Sequence, residues 1–141
     1  MKRQIASVIG VFGLLLVAAC ANAQSVNVKA NVPFDFTVGK STLSAGQYNI
    51  QSLSTGSSDV LAIRGGAAQN MLASANRAET LNPSPNSRLV FHKYGDQYFL
   101  SQIWLQGEKA GRQFRITKRE AEMAKNVQTS EEDVIVLAAL R

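Results

Sequence analysis

The segment from residue 88 to residue 105, RLVFHKYGDQYFLSQIWL, indicates the fold of this chain. Two runs rich in β-branched and aromatic residues, 88–94 and 97–105, flank Gly95 and Asp96, a pair of the length and composition of a hairpin link. In both runs apolar side chains occupy both alternating sets of positions. This pattern predicts a hairpin in the middle of a sheet, with both of its faces covered.

Shorter runs of the same type surround this hairpin. Residues 32–38 alternate between apolar and polar, which predicts a strand that begins near Pro33 or lies at a sheet edge. Residues 134–140, VIVLAAL, are continuously apolar and predict a buried final strand. The remaining predicted strands are 47–53, 59–64 and 70–78.

One helix is predicted, directly before the final strand. Thr117 and Glu120 have the spacing of a capping box, and the helix should end near Asn126. Its few apolar residues predict that it lies on a sheet. The segment before it, 108–115, is polar and basic. The expected fold is mainly β, a single-domain antiparallel β-sandwich or barrel with one short C-terminal helix before the last strand.

The N-terminus has the three parts of a secretion signal. Lys2 and Arg3 precede an uncharged apolar run, 5–19, and Ala21-Asn22-Ala23 is a small-x-small cleavage site. We therefore expect 1–23 to be a signal peptide and 24–141 to be the β-rich domain. A periplasmic or secreted location follows, and the chain's net charge of +5 belongs partly to the signal.

Cys20 leaves a second possibility open. Val17-Ala18-Ala19-Cys20 resembles a lipobox, in which the cysteine is acylated and becomes the mature N-terminus. The alternative is thus a lipoprotein anchored to the envelope, and membrane contact is expected only in that case. Cleavage after Ala23 would instead leave a chain without cysteine, which can form no disulfide.

Composition restricts the chemistry that the chain can perform. One histidine and one cysteine exclude most metal sites and nucleophilic triads, so we predict no metal, no cofactor and no assigned catalytic residue. His92 could act as a general base near Asp96 or Asp35, and these two carboxylates could form a glycosidase-type pair. The simpler interpretation makes His92 a hydrogen-bonded strand residue, Asp96 a turn residue and Asp35 a solvated one.

Two groups of side chains are candidates for binding. Aromatic residues of the hairpin could form a row that stacks on sugars or holds a peptide, although such rings also stabilise sheets by packing. Basic residues near the helix could contact an acidic polymer or an envelope protein, or could simply be solvated. Nucleic acid is not expected as a partner. The residues are Tyr94, Tyr98 and Trp104 in the first group, and Arg112, Arg115, Lys118 and Arg119 in the second.

Three stretches also carry a resemblance. PFDFTVGKSTLSAGQY at 33–48, LVFHKYGDQYFLSQIW at 89–104 and KREAEMAKN at 118–126 resemble a group of uncharacterised small secreted proteins of acidobacteria and related soil bacteria. The resemblance implies an exported, β-rich protein and lends no catalytic residues. We expect a non-enzymatic binding or structural module of the cell envelope. The alternatives are a small envelope hydrolase that uses His92 or Asp35 and Asp96, and a protein whose strand edge completes another chain's sheet.

Overall fold

The computed structural model describes residues 25–53, 60–66, 69–126 and 131–140. The predicted signal peptide, 1–23, lies outside the described residues, and so does Cys20. In the part of the chain that is described, no helix is both long and apolar enough to cross a membrane.

Eleven strands in the described residues form one curled, open sheet, a half-barrel, with one helix before the last strand. This confirms the predicted mainly β fold. In chain order the elements are β1 Asn27–Val32, β2 Phe36–Val38, β3 Ser41–Leu43, β4 Gly46–Ser52, β5 Val60–Gly65, β6 Asn70–Ser74, β7 Asn76–Glu79, β8 Arg88–Tyr94, β9 Gln97–Trp104, β10 Ala110–Gln113, α1 Lys118–Asn126 and β11 Glu132–Leu140.

The β8–β9 hairpin occupies the middle of the sheet, as its sequence predicts. The order of strands along the sheet is β3-β2-β9-β8-β11-β1-β4-β5-β6. All the strand pairs are antiparallel except β2 and β9, which are parallel at Thr37 and Phe99. The turn of the hairpin has Gly95 at a φ of 61°, a left-handed conformation that glycine adopts without strain.

A bulge and a bent strand curl the sheet. Val90 pairs with Gln102 and Phe91 pairs with Leu100, so β9 carries one extra residue there, and such a bulge increases the local twist. β6 and β7 are separated only by Ala75, yet β6 pairs with β5 whereas β7 pairs with β10. β10 also pairs with β9, so the pairings lead from the edge of the sheet back to its centre.

The concave side of the sheet holds the apolar core. Phe91 is its largest fully buried side chain, and its ring meets those of Phe34 and Phe36 edge to face at centroid distances of 5.0 and 5.4 Å. Such aromatic contacts add to the stability gained by burial. Other fully buried members include Val28, Ile50, Leu61, Ile63, Leu89 and Ile103.

Three elements differ from the sequence prediction. The run 32–38 is not one strand, because β1 ends at Val32 and β2 begins at Phe36, with a bend at Pro33. β10 lies within the polar and basic segment 108–115, for which no strand is predicted. The final strand is not buried on both faces: Ile135 and Leu137 are 56% and 64% exposed, since only the alternate residues meet the core.

Candidate functional site

A polar cluster lies where α1 packs on the outer face of β8. His92 and Tyr94 are two residues apart on this strand, so their side chains share a face. Nδ1 of His92 is 2.8 Å from Oε1 of Glu120, and the hydroxyl of Tyr94 donates to the same oxygen at 3.2 Å. Because a carboxylate accepts, Nδ1 of His92 is the donor to Glu120. In the neutral form of this imidazole the lone pair is then on Nε2.

The start of α1 fixes the position of Glu120. The hydroxyl of Thr117 accepts the backbone amide of Glu120 at 3.2 Å, which confirms the predicted N-cap. This contact holds Glu120 in the first turn, where a negative charge is favoured by the helix dipole. Glu120 is only 5% exposed, and its carboxylate is directed at the sheet. The cap therefore delivers a buried carboxylate to His92 and Tyr94.

Two further carboxylates approach His92 from the beginning of the last strand. Oε1 of Glu131 is 3.4 Å from Nδ1, and Oδ1 of Asp133 is 3.8 Å from Nε2. Asp133 is the direct cross-strand neighbour of His92 in the pairing of β11 with β8. The side chains of Glu131 and Asp133 are at least half exposed, so the cluster is buried at Glu120 and open to solvent on its other side.

This environment keeps Tyr94 protonated. Burial, followed by the negative charges of Glu120 and Glu131, raises the pKa of Tyr94 well above its usual value of 10.0. In the folded chain the phenol therefore stays neutral at a pH where an unfolded tyrosine loses its proton. This contribution to stability is fully present below pH 10 and is lost as the pH rises above it.

Tyr94→Phe tests this linkage. The variant should be less stable than wild type by about 1–2 kcal/mol near pH 8, because a hydrogen bond to a charged acceptor is removed. The difference should shrink above about pH 10, since only the wild-type protein has this phenol to ionise on unfolding. Urea denaturation of both proteins at a series of pH values measures the effect. A constant difference across the series would contradict it.

The acids predicted to accompany His92 lie elsewhere. Asp35 accepts the backbone amide of Ala45 at 2.8 Å and so fixes a turn, and Asp96 is an exposed residue of the β8–β9 turn. The prediction missed Glu120, Glu131 and Asp133. The capping pattern located Glu120 on the helix, but its partner strand and the pairing of β11 with β8 depend on long-range contacts that periodicity does not reveal.

The three hairpin aromatics do not form an exposed row. The ring of Tyr98 stacks on Phe34 at a centroid distance of 3.8 Å and packs against the core. Tyr94 and Trp104 are 3% and 8% exposed. Their rings pack within the sheet, as cross-strand packing favours.

The basic residues also separate in the structure. Arg112 is 5% exposed and donates to the carbonyl of Gly111, so it is not part of a surface patch as the sequence suggested. Its strand, β10, pairs on both sides, which buries it. Arg115, Lys118 and Arg119 are exposed. The basic surface thus begins at Arg115, after β10.

Arg115 borders a groove at the opening of the half-barrel. The groove has a volume of about 490 Å³ and lies between the β2–β3 turn and β6, near the two ends of the sheet. Buried or half-buried apolar side chains form its floor, and Lys40 and Arg115 are the cations among its lining residues. The floor consists of Val38, Met71, Ala73 and Phe114, and Ser41, Ser74, Asn76 and Thr117 add polar groups.

No family model, curated protein sequence or solved structure matches this chain. Function must therefore be inferred from the cluster around His92 and from the groove beside Arg115. The polar contacts of His92 are carboxylates, which can hold a proton or a cation. The groove combines apolar surface with cationic groups at its side, an arrangement suited to a ligand that carries both an apolar part and a negative charge.

Proposed function

We propose that this protein is an exported, non-enzymatic binding module of the bacterial cell envelope that holds an anionic amphiphile in the groove between the β2–β3 turn and β6. The observation that supports the proposal is the groove's composition, an apolar floor bordered by Lys40 and Arg115. The N-terminal signal pattern supports the location, and lipid anchoring through Cys20 remains the alternative to free release.

The size and chemistry of the groove fit a small ligand. Sites for small molecules have volumes of about 300–1,000 Å³, are mostly apolar and contain a few polar groups that orient the ligand. Val38 and Phe114 are buried against the core, so the floor is fixed by packing. An alkyl chain would lie on this floor, and its carboxylate or phosphate would face Lys40 and Arg115. Uncharged amphiphiles would lack the second contact.

Isothermal titration calorimetry with dodecanoate and dodecanol tests the proposal. Dodecanoate should bind, and the double variant Lys40→Gln/Arg115→Gln should bind it about fivefold more weakly, because two partly screened charge contacts are lost. Dodecanol should bind the wild type and the double variant equally. Concentrations below the critical micelle concentration keep the ligand monomeric.

The chain offers a matched control for net charge. Lys118→Gln/Arg119→Gln also removes two positive charges, but from exposed residues just beyond the groove. It should leave dodecanoate affinity within twofold of wild type. An equal loss in both double variants would show that the anion is attracted by overall charge, and the groove proposal would be rejected. If the wild-type protein were retained on an acidic polysaccharide and both double variants weakened this retention equally, the ligand would instead be a polymer bound on the exposed basic surface.

A further inference from the structure

The cluster around His92 has the ligands and the spacing of a cation site, separate from the groove. His92, Glu131 and Asp133 each offer one ligand atom, and these three atoms lie within 4.8 Å of one another. They come from two strands and from the residue before β11, so folding brings them together. The sequence predicted no metal because it contains one histidine, but carboxylates can supply the other ligands of such a site.

We propose that Nε2 of His92 and the carboxylates of Glu131 and Asp133 bind a divalent transition-metal ion of the Zn²⁺ type. The buried carboxylate of Glu120 accepts a hydrogen bond from Nδ1 at 2.8 Å, and in neutral His92 this leaves the lone pair on Nε2. This carboxylate–histidine arrangement is the usual outer support of a metal-bound imidazole, since it fixes both the tautomer and the orientation of the ring. The hydroxyl of Tyr94 donates to the same carboxylate oxygen.

The distance between His92 and Asp133 agrees with this assignment. Two ligand atoms that each lie about 2.1 Å from a tetrahedral ion are about 3.4 Å apart. Nε2 of His92 and Oδ1 of Asp133 are 3.8 Å apart, so a small side-chain rotation brings both to bonding distance. Oε1 of Glu131 is 3.4 Å from Nδ1, so this half-exposed side chain must rotate to reach an ion at Nε2, and its ligand atom already lies within 4.8 Å of the other two. Three protein ligands would leave a fourth position for water.

The charges also favour a cation. Glu120, Glu131 and Asp133 all approach one imidazole, so a neutral His92 leaves three negative charges close together. The nearby Lys93 is 3.7 Å from Glu132, whose side chain points to the opposite face of β11. A dication at Nε2 would offset this repulsion. Imidazole with carboxylate ligands suits Zn²⁺ better than Ca²⁺ or Mg²⁺, which prefer oxygen ligands.

Titration calorimetry with Zn²⁺, after removal of metals by a chelator, tests the site. The wild-type protein should bind one ion at micromolar or lower concentration, and neither Ca²⁺ nor Mg²⁺ in tenfold excess should displace it. Asp133→Asn and Glu131→Gln should each weaken binding at least tenfold. Both residues are exposed, so these variants should keep the fold, which far-ultraviolet circular dichroism verifies. Glu120→Gln should also weaken binding, through the orientation of His92.

Glu132→Gln is the matched control, because it removes the carboxylate that lies between the two proposed ligands and faces away from His92. Its Zn²⁺ affinity should equal that of wild type. Co²⁺ in place of Zn²⁺ should give the intense visible absorption of a four-coordinate site, and Asp133→Asn should remove it. The absence of Zn²⁺ binding, or equal weakening by Glu132→Gln and Asp133→Asn, would overturn the proposal. Failure of dodecanoate to bind the groove would leave this result unaffected.

Discussion

Replacing Phe91 by alanine is expected to lower the free energy of unfolding by about 3–5 kcal/mol. Phe91 is completely buried in the central strand β8, and its ring is in contact with two other rings, Phe34 and Phe36. β8 is hydrogen-bonded to β9 on one side and to β11 on the other, so its backbone cannot move inward to fill the space. The loss of apolar burial and the resulting cavity both destabilise the folded chain.

Urea denaturation measures this effect, and two variants set its scale. Phe91→Leu retains most of the buried volume and should cost less than half as much as the alanine variant. Leu72→Ala removes an apolar side chain that is 64% exposed and should change stability by at most about 0.5 kcal/mol. If Phe91→Ala cost no more than Leu72→Ala, Phe91 would not be at the centre of the core.

The elements that the sequence predicts well are those that local chemistry specifies. The link Gly95-Asp96 joins two adjacent β-type runs, so β8 and β9 can be recognised as a pair without knowledge of the rest of the chain. The helix is similarly local, because Thr117 caps the amide of Glu120 three residues later. Both features need only neighbouring residues, and both are confirmed by the structure.

Long-range pairing decides the elements that the sequence misses. β10 contains an alanine, a buried glycine and two polar residues, yet it is a strand because β7 and β9 pair with it on both sides. The run 32–38 keeps its alternation across Pro33, but the chain bends there and β1 and β2 take different partners. Periodicity reports which residues are apolar and does not report which strand lies beside them.

The candidate sites show the same limit. His92 was recognised as the only titratable imidazole, but its carboxylates come from positions 28 to 41 residues later along the chain. The groove joins residues from β2–β3, β6 and the segment after β10. Arg115 was predicted to bind as part of a basic run, whereas its position beside an apolar floor depends on how the sheet curls.

Gly111→Ala is the second substitution for which we expect a large effect, a loss of about 3 kcal/mol in the free energy of unfolding. Gly111 lies opposite Trp104 in the pairing of β10 with β9. A Cβ atom at this position would be 2.5 Å from Cε3 of the Trp104 ring and 2.6 Å from the backbone carbonyl oxygen of Ile103. The ring cannot easily turn away, because its Nε1 donates to Gln102 and the side chain is buried.

Two other glycines provide the comparison for thermal or urea denaturation. A Cβ at Gly66 would meet no atom within 4 Å, so Gly66→Ala should be neutral or slightly stabilising. The three atoms nearest to a Cβ at Gly65 would all belong to the ring of Tyr48, the closest at 2.6 Å. Tyr48 is also buried and hydrogen-bonded, so Gly65→Ala should destabilise the protein, but less than Gly111→Ala, because no backbone atom is among the nearest contacts.

A second-site variant separates the two clashes at Gly111. Trp104→Leu removes the ring but leaves the carbonyl of Ile103. Gly111→Ala should therefore destabilise the Trp104→Leu protein less than it destabilises wild type. If Gly111→Ala cost no stability in the Trp104→Leu protein, the clash would be with the ring. If it cost as much as in wild type, the clash would be with the backbone of β9. If Gly111→Ala were as stable as Gly66→Ala, β10 would not lie against Trp104. The pairing of β10 with β9 would then be wrong.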